Sequence, residues 1–389
     1  MNTQRCAAAA AVLLIILSGA AGAASDLSAS FQSGDPEIRS MSALEFGPEG
    51  LLFIGDSRSG TIFVVDTEER TPGEVVEDFA VPDLEGKIAA ILGTTSDNIM
   101  IHDMAVNPLS HSVYLSVSRG RAAWDSKWEL PNDLADANIL IRVTTTGDIE
   151  EFSLTGVRYA SASLPNPVDM NETHRWKEGV SKRVDAITNI VYHEGRLYVA
   201  GLSNEEFSSA MWQMDFPFSG DASWSTLEIF HGAHGKYETH APIRAFLPYE
   251  IDGQSYILAS YLCTPLVSFP LADLRDGQHV KGKTLAEMGS GNYPLDMVLA
   301  RQGDKEFIVM ANSQLPLLTI DTAEVESYNG KPGITRESPT YTEGVSYVAR
   351  AASGVQQLDN YDDDFLVALQ RMPSGKLDLI TLSLARLAM

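Results

Sequence analysis

The sequence predicts an all-β fold: a six-bladed β-propeller of four-stranded antiparallel blades, its ring closed by pairing of N- and C-terminal strands. Three observations lead there. A unit of three apolar runs separated by polar turns recurs along the chain. Its spacing is roughly fifty residues, the period of propeller blades. No long segment holds the apolar period of about 3.6 residues, bounded by caps, that a helix-rich fold would need. A two-sheet sandwich is the alternative, and the regular spacing over 389 residues counts against it.

The first unit, "ALEFGPEGLLFIGDSRSGTIFVVD" from Ala43 to Asp66, reads as three strands joined by two tight turns. The second begins "DMAVNPLSHSVYLSVSRG" at Asp103, with its third strand delayed to "NILIRV" from Asn138. Later units start at Ala186, Ile243, Leu295 and Gly354. The last supplies only three strands, so its outer strand is expected from the mature N-terminus, around Leu27 to Phe31. Two stretches break the spacing and read as loop insertions, near 120–137 with Trp124 and Trp128, and near 158–182 with His174 and Trp176.

The first unit resembles NHL-repeat and SMP-30/gluconolactonase-type propellers, through its Gly-Pro-Glu-Gly turn, "LLFIGDS" and "GTIFVVD". The resemblance implies the same propeller fold. It also implies a metal-dependent hydrolase, with one divalent cation, often calcium, polarising a lactone or ester carbonyl at the channel mouth. On that reading Asp103, Asp185, Asn189 and Asp296 would supply oxygen ligands.

Residues 1–23 read as a signal peptide: Arg5, a short apolar run and an Ala21-Gly22-Ala23 cleavage pattern. Residues 24–389 are then one propeller domain, exported and soluble, in a periplasm or outside the cell. No later stretch reads as a membrane span. The formal charge of −24 argues against nucleic acid and anionic lipid, which require a basic footprint. Cys263 is the only cysteine beyond the leader, so no disulfide framework is expected and a large core must carry stability.

In such a ring, two sets of loops share one face, the entries to the inner strands and the turns between second and third strands. Sorting polar residues by loop places Arg244, Asn204, Asn312, Arg350 and His102 there as candidate ligand contacts. Asp103, Asp185 and Asp296 abut apolar runs, where an unpaired carboxylate is costly. They read either as metal ligands or as acceptors for backbone amides that tie neighbouring blades. "HGAHGKYETHAPIRAF" lies between an outer strand and the next inner strand, so His231, His234 and His240 fall on the same face. Cys263 sits in the second-to-third turn of the following blade. Imidazoles with a thiolate suit copper or zinc, and glycines let a loop fold around an ion.

There is no G-x-S-x-G elbow and no phosphate-binding glycine loop. The reading is therefore an exported propeller that binds a small molecule, glycan, protein or metal ion at the polar mouth of its channel, without catalysis. The alternatives are the metal-dependent hydrolase and a copper- or zinc-binding, redox-associated protein built on His231, His234 and Cys263.

Overall fold

The structure is a computed structural model that describes residues 27–119, 138–174, 177–263, 265–338, 340 and 342–388. The segment expected to be a signal peptide, the stretch with Trp124 and Trp128, and Trp176 lie outside the described residues.

Six sheets of four to six strands carry the chain. Blade 1 begins with Leu44–Phe46, Leu51–Asp56 and Thr61–Asp66. The last two read LLFIGD and TIFVVD and are buried along nearly their whole length, as continuous apolar strands should be. Glu49 and Gly50 turn between the first pair with φ of 59° and 71°. A Cβ at Gly50 would sit 2.9 Å from the Glu69 carbonyl oxygen, so glycine is required there. Blade 2 runs Ile99–Val106, Val113–Arg119, Asn138–Val143 and Ile149–Glu151. Blade 3 runs Asn189–His193, Arg196–Leu202, Ser209–Asp215 and Ser223–His231. Blade 4 runs Ala245–Ile251, Gln254–Ser260, Pro265–Pro270 and Lys283–Met288. Blade 5 opens with Pro294–Gln302 and Lys305–Asn312, and blade 6 with Val355–Asn360, Phe365–Arg371 and Leu377–Ser383.

The ring closes between an N-terminal segment and the last strand, but the segment is Ala80–Val81 rather than Leu27 to Phe31. Leu379 pairs with Val81 and Ile380 with Ala80. A two-residue strand leaves no alternation to detect in the sequence. Leu27 and Phe31 instead pack against the core shared by blades 1 and 3. Around the closure, Thr381 donates its N–H to Phe79, Arg371 pairs with Glu85, and Phe79, Val81, Leu84 and Ile88 fill the space between blades 6 and 2.

The order of blades around the ring also departs from the order in sequence. Inner-strand neighbours run 1, 3, 4, 5, 6, 2 and back to 1. The chain lays three strands of blade 1, crosses to complete blade 6, builds blade 2 in between, and then returns. Val157–Ser163 supplies that return by pairing with Thr61–Asp66, for example Ser161 against Phe63. Residues expected as the start of an insertion are thus the outer strand of blade 1. Their alternating exposure marks an outer position, and the many small and polar residues hid it from the apolar pattern. The rest of that stretch forms a small hairpin, Thr173–His174 with Lys177–Ser181.

The inner strands are linked by carboxylates. Asp103 accepts the Leu44 N–H at 2.7 Å, Asp359 that of Val106 at 2.6 Å, Asp296 that of Leu358 at 2.8 Å, and Glu45 that of Tyr192 at 3.0 Å. Each bond crosses from one blade to the next. The second oxygen of each aspartate accepts the N–H of the following residue in its own strand. For Asp103 and Asp296, the role seen is therefore to tie blades. Burial pushes the Asp359 carboxyl up to about 7, against the Val106 and Asn360 amides that favour its charged form.

Replacing Asp103, Asp296 or Asp359 by Ala leaves an inner-strand amide without its acceptor and should cost about 1–3 kcal/mol in chemical denaturation. A native pKa above the unfolded one means the Asp359 contribution is full below the unfolded pKa and is lost as pH rises through about 7. The cost of Asp359→Ala should therefore be larger near pH ~5 than near pH ~8. A cost that grows with pH contradicts burial as the dominant influence.

Candidate metal centre

The outer strand of blade 3 ends at His231, which is only 2% exposed. The chain then turns sharply: the His234 N–H bonds the His231 carbonyl, and that of Gly235 bonds Gly232. Gly235 has φ of 62°. A Cβ on Gly232 would meet Glu287 Cγ at 3.0 Å, so glycine lets this turn close onto that carboxylate. Lys236–Glu238 then runs back along the strand it left, with Phe230 opposite Tyr237 and Ile229 opposite Glu238.

This hairpin fixes two imidazoles with one carboxylate. His231 Nδ1 lies 2.9 Å from Glu238 Oε2, and His234 Nδ1 lies 2.7 Å from Glu238 Oε1. The ring centroids are 4.0 Å apart. Each Nδ1 donates to Glu238, so each Nε2 carries the lone pair when its ring is neutral. Anchoring one ring nitrogen on a carboxylate is how metal-binding histidines are held in tautomer and orientation. His231 Nε2 has no hydrogen-bond partner among the described residues, although it is buried.

Cys263 approaches from the tight turn between Gln254–Ser260 and Pro265–Pro270 of blade 4. Its backbone is left-handed, with φ of 65°, a strained conformation for a residue with a Cβ. Its Sγ accepts the Gly291 N–H at 3.3 Å. One nitrogen of His231, one of His234 and the Cys263 sulfur lie within 4.8 Å of one another. Among the described residues, no other three His, Cys, Asp or Glu side chains gather in this way.

The electrostatics are coupled. The His231 imidazole holds the Cys263 thiol below its usual range, helped by the Gly291 N–H, while burial works against them. Burial alone would lower His231, but Cys263, Glu238 and the charge of Glu287 outweigh it and lift the imidazole to about 9. Burial would raise Glu238, yet the two histidines pull it down to about 2. Glu287 is pushed up to about 7 by burial, against His231 and the amides of Gly232 and Ala233.

The other candidates lie elsewhere or are engaged. His240 is exposed, with its Nδ1 at 3.4 Å from Ser208 Oγ. His102 lies 2.8 Å from Ser118 Oγ, and burial lowers its imidazole to about 4. Asp185 receives both Arg244 terminal nitrogens, at 2.9 and 3.3 Å, and lies 3.0 Å from His174 Nε2. Its carboxyl is held low because Arg244 and His174 outweigh burial. This clamp ties the small hairpin to the entry of blade 4. Asn312 is buried against Asn292, Arg350 donates to Thr319 Oγ1, and Asn204 is exposed. Asp103, Asp185 and Asp296 do not join the three-residue group. Sequence reasoning passed over Glu238 and Glu287. The first stands inside the quoted histidine stretch. The second is a carboxylate in a strand whose neighbours Leu285, Ala286 and Met288 are fully buried.

No protein-family model matches the sequence, and no curated protein does. Solved structures are similar in fold. The extracellular domains 1–2 of Drosophila semaphorin 1b share 11% identity over 90% of this chain and 86% of theirs, with a TM-score of 0.35. The PQQ-bound aldose sugar dehydrogenase of Streptomyces coelicolor shares 14% over 90% and 96%, with a TM-score of 0.31. A Thermus thermophilus protein described as a putative oxidoreductase (glucose dehydrogenase) shares 12% over 90% and 100%, with a TM-score of 0.33. These likenesses concern the propeller alone.

In the metal-free protein, alkylation of Cys263 by iodoacetamide should show a midpoint below the ~8.5 of an ordinary cysteine, and His231→Ala should move it upward. A wild-type midpoint at or above the ordinary value contradicts the pairing.

Proposed function

We propose that this protein is an exported β-propeller that binds a zinc or copper ion on its loop face, through His231, His234 and Cys263. One observation carries the reading: a single carboxylate, Glu238, holds both imidazoles by Nδ1 while the Cys263 sulfur lies within 4.8 Å of a nitrogen of each ring. Two nitrogens and a sulfur match the ligand preferences of late first-row metals, and they are poor ligands for calcium. The export half of the proposal rests on the N-terminal sequence.

The calcium-dependent hydrolase has less support. It requires six to eight oxygens or so around one ion, and Asp103, Asp185 and Asp296 are spent on backbone amides and Arg244. An organic or glycan ligand at the mouth has less as well, since Arg244 and Asn312 already have protein partners.

Protein purified after loading with zinc or copper should carry about one ion per chain by elemental analysis, and His231→Ala or Cys263→Ser should lose it. Affinity should weaken as pH falls, because the ion competes with protons on Cys263 and on a His231 imidazole that titrates near 9. Failure to retain Zn(II), Cu(I) or Cu(II), or an affinity independent of pH, would contradict the proposal.

A further inference from the structure

We infer that Glu287 is the fourth ligand of this centre, which makes it a closed zinc site rather than a copper site or a catalytic one. The inference rests on the metal reading above. Glu287 lies on Lys283–Met288, the outer strand of blade 4, and is 1% exposed. Its Oε1 accepts the Gly232 N–H at 2.5 Å, which fixes the carboxylate. Its Oε2 is buried and has no hydrogen-bond partner among the described residues. The atom 3.8 Å away is His231 Nε2, likewise buried and without a hydrogen bond, so the two meet only as a long ion pair.

A long ion pair with no hydrogen bond to either facing atom is a poor replacement for the water both have lost on burial. A bound cation removes both costs at once. With metal–ligand bonds of about 2.0–2.3 Å, the edge of a coordination tetrahedron spans roughly 3.3–3.8 Å, so the gap between these atoms is the size of an ion's coordination edge. Small movements of the His234 ring and the Cys263 side chain, half-buried on a turn, would complete the shell.

The chemistry of the fourth atom selects the ion. A carboxylate oxygen is a poor ligand for Cu(I), which favours soft donors at low coordination number. Zn(II) takes nitrogen, sulfur and oxygen together in a tetrahedron. Four protein ligands leave no open position for water or substrate, which is the pattern of a structural site. The four come from three separate segments: the connection after blade 3, the second-to-third turn of blade 4, and the outer strand of blade 4. Zinc would therefore pin the junction between two blades.

The test uses the full mature chain. Wild type loaded with Co(II) should give the intense visible bands of a four-coordinate tetrahedral ion, together with a thiolate charge-transfer band. Glu287→Gln keeps the size and an acceptor for Gly232. It should weaken Zn(II) binding by at least the roughly tenfold to hundredfold that loss of an outer-shell partner causes, while leaving Cu(I) affinity unchanged. Glu287→Asp should fall between the two. Wild type that binds Zn(II) with unchanged affinity in Glu287→Gln overturns the fourth ligand and leaves the three-ligand centre standing. Weak five- or six-coordinate Co(II) bands in wild type overturn the closed site whether or not the variants fold. Wild type that binds no metal removes the centre altogether.

Discussion

The ring that carries the candidate metal centre depends on carboxylate-to-amide bonds between neighbouring inner strands. Asp103, Asp296, Asp359 and Glu45 each reach across a blade boundary to a main-chain N–H. Sheets packed only by apolar faces can slide, because dispersion and hydrophobic contact are not directional. A bond of 2.6–3.0 Å to a particular amide fixes the register of one blade on the next. None of these four crosses from blade 3 to blade 4; there Thr188 donates to the Ile243 carbonyl at 2.6 Å and Thr284 to that of Phe230 at 2.5 Å, and beside them Cys263 faces two histidines thirty or so residues away in sequence.

Closure adds a second constraint. Ala80–Val81 joins blade 6 to a segment almost three hundred residues earlier, between blades whose strands are interleaved along the chain. The outer strand of blade 1 follows all of blade 2 in sequence, so completing blade 1 closes a loop that contains blade 2. The contacts that define the ring are therefore strongly non-local, and loop-closure entropy must be overcome before they stabilise the fold.

Much of this was legible in the residues. Continuous apolar runs such as LLFIGD and TIFVVD identify inner-blade strands, and their spacing identifies a propeller. The placement of His231 and Cys263 on one face followed from that count of strands. What escaped is what carries no local pattern. Ala80–Val81 is too short to alternate, and Val157–Ser163 is too polar to read as a strand of a core. A linear reading also makes blade neighbours of consecutive units, so the 1–3 and 6–2 contacts were out of reach. Glu238 lay in view among the histidines, but its role depends on the hairpin that folds it back against His231. Glu287 shows itself only through burial.

The side chains of the proposed centre are brought together by two hairpins and a ring, with Glu238 setting the imidazoles and Gly232 allowing Glu287 to close in. The most direct test is a crystal of zinc-loaded protein measured on both sides of the zinc absorption edge. One anomalous peak is expected, at bonding distance from His231 Nε2 and Cys263 Sγ. A peak on the axis among Asp103, Asp296 and Asp359, or no peak beside Cys263, would contradict it.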